Sequence, residues 1–117
     1  MAVSLTGLAL LVPMAGSAGP TAASVVKPTD FNTWTPFRTK VPKNSKVVWK
    51  NTSFEVHNVK SYKGTWLPKK MLNPGVKAAK VFRKRGLFFY RCTIHSTIVD
   101  GDCGGMCGEV KVTRPVG

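Results

Sequence analysis

Acidic residues are scarce in this chain: 5 Asp+Glu stand against 18 Lys+Arg over 117 residues, a formal net charge of +13. A surface this positive repels cations and draws acidic proteins, anionic lipid or nucleic acid. Cysteine is scarce too. Three cysteines are too few for a disulfide-rich scaffold, and the odd count leaves at least one without a partner in the chain. Only two histidines occur, His57 and His95, which leaves little for acid–base catalysis. No apolar run reaches the roughly 20 residues that a membrane-spanning helix needs. There is no internal repeat and no convincing helical period.

What is present is enough apolar material, 43% of the chain, for one globular domain and no second core. Every charge lies at or after Lys27. Residues 2–15 (AVSLTGLALLVPMA) are apolar, and small residues follow at Gly16, Ser17, Ala18 and Gly19. That pattern matches the core and cleavage region of a secretory signal, so residues 1–23 read as an export leader. The positive flank that usually precedes such a core is missing. Residues 24–33, with Pro28, read as a linker, and 34–117 as the folded domain.

In that domain Pro36, Pro42, Pro68 and Pro74 recur with Gly64, Gly75 and Gly86 between short runs of strand character. Strands are expected at Ser45–Asn51, Phe54–Val59, Val76–Phe82, Leu87–Cys92 and Glu109–Thr113, and a long connection over 60–75. Phe88, Tyr90 and Cys92 alternate onto one face while Arg91 points away. Short strands with frequent turn signals predict an all-β sandwich.

The chemistry concentrates between Leu87 and Val112, where Cys92, His95 and Met106 stand close together. His57 ends an earlier strand. A single histidine on a strand is usually structural, but here a sandwich can bring both histidines to one thiol. Two imidazoles and a thiolate in a plane, with a weak axial thioether, form a trigonal site suited to copper. Such a site, held rigid, needs little rearrangement when an electron moves.

From about Trp34 to Thr113 the sequence resembles small cupredoxins of the plastocyanin and pseudoazurin type. The resembling segments are PFRTKVPKNSKVVWKN, FEVHNV, LNPGVKAAKVF, GLFFYRCTIH and GMCGEVKV. The resemblance implies a Greek-key, cupredoxin-like β-sandwich and one type 1 copper ion held by His57, Cys92, His95 and Met106. It also implies that Asn58 and Thr93 tie the two ligand segments together beside the ligand sulfur. In the family the methionine follows the second histidine within a few residues. Here Ser96 to Gly105 intervene, carrying two of the five acids and Cys103. Met106 still leads into the last strand as the family pattern does, while Met71 is assigned to packing and Met14 to the leader.

With Cys92 taken as a ligand, Cys103 and Cys107 remain as a pair, and in an exported protein a disulfide around Gly104-Gly105-Met106 is the economical reading. A second thiolate reaching the metal is the rival. The functional expectation is an exported, periplasmic, extracellular or cell-surface protein that carries single electrons. A copper carrier, store or sensor with the same ligands is the alternative. The charge predicts acidic redox protein partners for a monomer. Association with a membrane surface stays open, and nucleic acid and enzymatic turnover are not expected.

Overall fold

The computed structural model describes residues 23–115. The expected leader lies almost wholly outside them, as does Met14. The described chain forms nine strands: β1 (Ser24–Pro28), β2 (Trp34–Thr35), β3 (Arg38–Pro42), β4 (Ser45–Lys50), β5 (His57–Tyr62), β6 (Lys70–Leu72), β7 (Lys77–Phe82), β8 (Gly86–Val99) and β9 (Asp102–Thr113). They build two sheets, ordered β2-β1-β4-β7 and β3-β9-β8-β5-β6. Strands β4 and β7 pair antiparallel, as do β5 and β8, so the chain crosses repeatedly from one sheet to the other. This is the all-β sandwich that the strand pattern predicts, in the Greek-key form that the resemblance implies.

The core lies between the sheets and follows the alternation of each strand. Val26, Val47 and Trp49 enter from one side, and Val59, Tyr90, Val110 and Val112 from the other. Trp49 stands edge-on to Tyr90 with ring centroids 5.2 Å apart. Trp66, Phe82 and Phe88 close a second aromatic group within 5.2 to 5.6 Å of one another. Edge-to-face contacts of this kind add roughly 0.5–1.5 kcal/mol each beyond the area they bury.

Residues 24–28 are not a linker. They form β1, which lies parallel to β4 with Val26 opposite Trp49 and fully buried. Val25 and Val26 are β-branched, and the burial of Val26 and Pro28 gives the segment a strand's alternation. The folded unit therefore includes Ser24–Pro28, ahead of Trp34.

The expected strand Phe54–Val59 is displaced toward the C-terminus, to His57–Tyr62. The reason is local competition for the backbone. The Asn51 side chain accepts bonds from the Ser53 amide (2.9 Å) and hydroxyl (2.6 Å) and donates to the carbonyls of Glu55 (2.7 Å) and Leu72 (2.8 Å). A buried asparagine of this kind turns the chain before a ladder can start. Phe54 is left 99% exposed. The expected long connection over 60–75 is shorter than predicted, because β5 extends to Tyr62 and β6 occupies Lys70–Leu72.

Strand β8 runs past Cys92 and His95 to Val99, and β9 begins at Asp102. The segment between His95 and Met106 is thus a β-hairpin, with Ile98 opposite Cys103 and Val99 opposite Asp102. Asp100 and Gly101 form its two-residue turn, both with positive φ (51° and 83°). That geometry matches the twist of paired strands and favours an Asp-Gly dipeptide.

Candidate metal centre

Three strands, β5, β8 and β9, converge at one end of the sandwich. His57 is the first residue of β5, paired with Leu72 and fully buried. Cys92 points inward from β8 at core parity and is also fully buried. Beyond it the β8–β9 ladder breaks. Arg91 pairs with Cys107 and Ser96 with Gly105, so the residues from Cys92 to His95 face Met106 alone. The surplus of chain on β8 bows out as a bulge and carries His95 to the surface rim.

The bulge is clamped from within. Arg91 donates to the Ser96 hydroxyl (2.9 Å) and carbonyl (3.3 Å), and the Ser96 hydroxyl donates to the Cys92 carbonyl (2.5 Å). On the other side Gly105 lies against the His95 carbonyl with φ +95°. A Cβ at this position would overlap that oxygen, so only glycine lets β9 approach so closely.

The result is a compact set of donors. The ligand atoms of His57, Cys92 and His95 all lie within 4.8 Å of one another. The Cys92 Sγ is 3.9 Å from His57 Nδ1 and 3.6 Å from His95 Nδ1. His57 Nε2 is 3.1 Å from the Ser53 hydroxyl, a contact that turns Nδ1 toward the sulfur. Burial, reinforced by the neighbouring His95, lowers the His57 pKa from its ordinary value. Both effects favour the neutral ring, the form that can ligate.

Asn58 and Thr93 form the tie that the resemblance implies. Asn58 Nδ2 donates to Thr93 Oγ1 and the Thr93 amide donates to Asn58 Oδ1, each at 2.8 Å. The Asn58 amide also points at Cys92 Sγ, 3.4 Å away. The two ligand segments, distant in sequence, are locked at the sulfur itself.

Met106 is fully buried in β9, between the residues that pair with Arg91 and Ser96. Cys103 and Cys107 are joined by a disulfide. The only free cysteine is Cys92, so the rival reading of a second thiolate at the metal has no donor. Met71, expected to be packed, is 49% exposed on β6 near this end.

The donors fit copper on their own chemistry. Two imidazoles and a thiol whose ligand atoms lie within 4.8 Å of one another, with a buried thioether on the facing strand, are the soft and borderline set that copper selects. The polar partners already hold each donor in place, as metal ligands require.

Several residues of this arrangement escape a reading of the sequence. Ser53, Glu55, Arg91 and Ser96 act through turn and bulge geometry that no spacing announces. Glu55 sets its carboxylate 3.7 Å from His95 Nε2. The hairpin did carry a signal, the Asp100-Gly101 pair between two strand-like runs.

No family model matches the chain, and no curated protein sequence matches it. Solved structures do. A purple cupredoxin from Nitrosopumilus maritimus aligns with a TM-score of 0.61 at 22% identity, covering 77% of this chain and 99% of that one. A reduced Cu(I) form of an amicyanin variant at pH 4 aligns with a TM-score of 0.65 at 23% identity, covering 87% and 92%. Another reduced amicyanin variant gives 0.64 at 23%, covering 78% and 82%. At these identities the likeness establishes the fold, and the fold is that of the cupredoxins.

Proposed function

We propose that this chain is an exported type 1 copper protein that carries single electrons, with His57, Cys92 and His95 as strong ligands and Met106 as the axial one. The observation that carries the reading is the cluster itself: one free thiol and the chain's two histidines, with ligand atoms within 4.8 Å, on the two strands β5 and β8. Copper held there would supply a one-electron Cu(I)/Cu(II) couple.

The chain's own residues supply the rest. The Asn58–Thr93 tie and the Arg91–Ser96 clamp fix the donor positions before any metal arrives, so neither oxidation state demands rearrangement. The Asn58 amide, aimed at the sulfur, draws off negative charge from the thiolate. His95 is the outward ligand, its side chain 23% exposed, and exposed Ile94 stands next to it. An apolar rim around a partly exposed ligand offers a short route for an electron to a docked partner. The export reading is supported by the apolar, uncharged sequence of residues 2–15 and by the disulfide, which suits an oxidising compartment.

The test is a visible spectrum of the purified chain titrated with Cu(II). One equivalent should produce an intense thiolate-to-copper band that is absent in Cys92→Ser, followed by fast, reversible bleaching with a mild reductant. A colourless complex would sink the type 1 assignment. An intense band with no reversible reduction would favour copper storage over electron transfer.

A further inference from the structure

The positive charge of this protein is not spread evenly. Strand directions place the starts of β1, β4 and β8 and the ends of β3, β5, β7 and β9 at the pole opposite the metal cluster. The turns at that pole are Lys43-Asn44, Lys63-Gly64 and Arg83-Lys84-Arg85, with Arg114 after β9. Backbone bonds from Lys43 to Thr113 and from Asn44 to Phe82 knit them together. The cations Lys43, Lys63, Arg83, Lys84, Arg85 and Arg114 are all exposed, and none of these turns contains an acid. The acids lie elsewhere. Asp30, Glu55 and Asp100 sit in loops of the metal pole, Asp102 opens β9 beside the hairpin turn, and Glu109 is buried and paired with Arg38.

Two grooves open at the basic pole. One, of about 750 Å³, includes Arg85, Lys111 and Arg114 in its wall, and the other, of about 380 Å³, includes Lys80, Arg83 and Lys84. No carboxylate lines either. The chain also enters the sandwich here, at Ser24, and the sequence before it carries no charge.

We infer that the basic pole is a seat for anionic lipid headgroups, which holds the protein on a bilayer surface with the metal pole facing away. The cations occupy several separate turns across one end of the molecule, a layout that suits a broad field of charges better than one complementary protein patch. Each Lys or Arg near such a surface strengthens binding roughly fivefold, on the order of 1 kcal/mol. On a chain that keeps its leader, the apolar run of residues 2–15 is the second signal that stable surface attachment requires. The inference rests on charge and topology and stands whether or not copper is the metal.

The test is co-sedimentation of the full chain with vesicles of phosphatidylcholine alone or with phosphatidylglycerol added, in low salt and in 0.5 M NaCl, roughly a 4 Å Debye length. Binding should require phosphatidylglycerol and be lost in high salt. Lys84→Glu/Arg85→Glu, which alters both grooves, should weaken it at least tenfold, whereas Lys50→Glu/Lys77→Glu, an equal charge change at the metal pole, should weaken it less than threefold. Equal sedimentation with uncharged vesicles would overturn the inference in favour of the apolar segment acting alone. Equal loss in the two double variants would overturn it in favour of net charge. Retention on polyglutamate without vesicle binding would assign the pole to an acidic protein instead.

Discussion

Glu55 stands where a small change should be read directly in the redox behaviour of the site. Its carboxylate is 63% exposed and lies 3.7 Å from the outward nitrogen of His95. A negative charge beside a ligand stabilises the more positive oxidation state. At a solvated site a charge this close is worth on the order of 1 kcal/mol, which for one electron is a few tens of mV. Glu55→Gln should therefore raise the reduction potential of the copper-loaded protein by that amount and leave its melting temperature unchanged. Cyclic voltammetry of the two forms decides it: an unmoved potential would show that solvent screens the carboxylate fully, and a lowered one that Glu55 does not act through its charge. The residue was not legible as part of the site. His57, Cys92 and His95 were, because histidine and free cysteine are rare here and their chemistry is distinctive. Glu55 reaches His95 only because Asn51 bends the backbone, and that bend follows from hydrogen bonds among Asn51, Ser53 and Leu72 that no spacing encodes.

The hairpin of β8 and β9 is the element in which this chain departs from the short methionine loop of the proteins it resembles. The departure lengthens the ladder rather than loosening it. Ser96 to Val99 pair with Asp102 to Gly105, and the Asp100-Gly101 turn fixes their register. The Cys103–Cys107 bridge then closes a short loop around Met106. A closed loop of this size accounts for about 2 kcal/mol in the chain-entropy account, less where strand pairing already orders the segment. Cys103→Ser/Cys107→Ser should lower the melting temperature of the metal-free chain by up to about 10 °C. In the copper-loaded form it should change the relative intensities of the thiolate-to-copper bands, as the axial methionine gains freedom. An unchanged spectrum with a lowered melting temperature would mean that the hairpin alone positions Met106. The strands around the ligands were readable from alternation, which burial on one face enforces. Their true ends were not. Alternation reports which face is buried, and β8 continues beyond the core into a hairpin where Val99 is exposed. Strand β1 was missed for the converse reason: its short run with Lys27 and Pro28 looks like a linker until its parallel partner β4 supplies the missing ladder.

Charge polarity belongs to the whole molecule and to no segment of it. The excess of Lys and Arg is visible in composition, but the basic residues are scattered along the sequence, and only the topology gathers the acid-free turns at one pole. This changes what the net charge means for reactivity. Strand β8 separates Gly86 at the basic pole from Cys92 by about 20 Å at 3.3 Å per residue. That is about twice the Debye length in 0.1 M salt, so the far cations act only weakly on a reactant at His95. Lys50 and Lys77, paired at the metal end of β4 and β7, act more strongly. The bimolecular oxidation of the reduced protein by ferricyanide, a small trianion, should separate the two groups. Lys50→Glu/Lys77→Glu should slow it several-fold at 0.1 M ionic strength, whereas Lys84→Glu/Arg85→Glu, with the same net charge, should change it by less than a factor of two. The dependence on salt should be steeper for the wild-type chain than for the metal-pole variant. Equal slowing in both variants would mean that the protein responds to its total charge, and that the separation of its poles has no bearing on how electrons enter or leave.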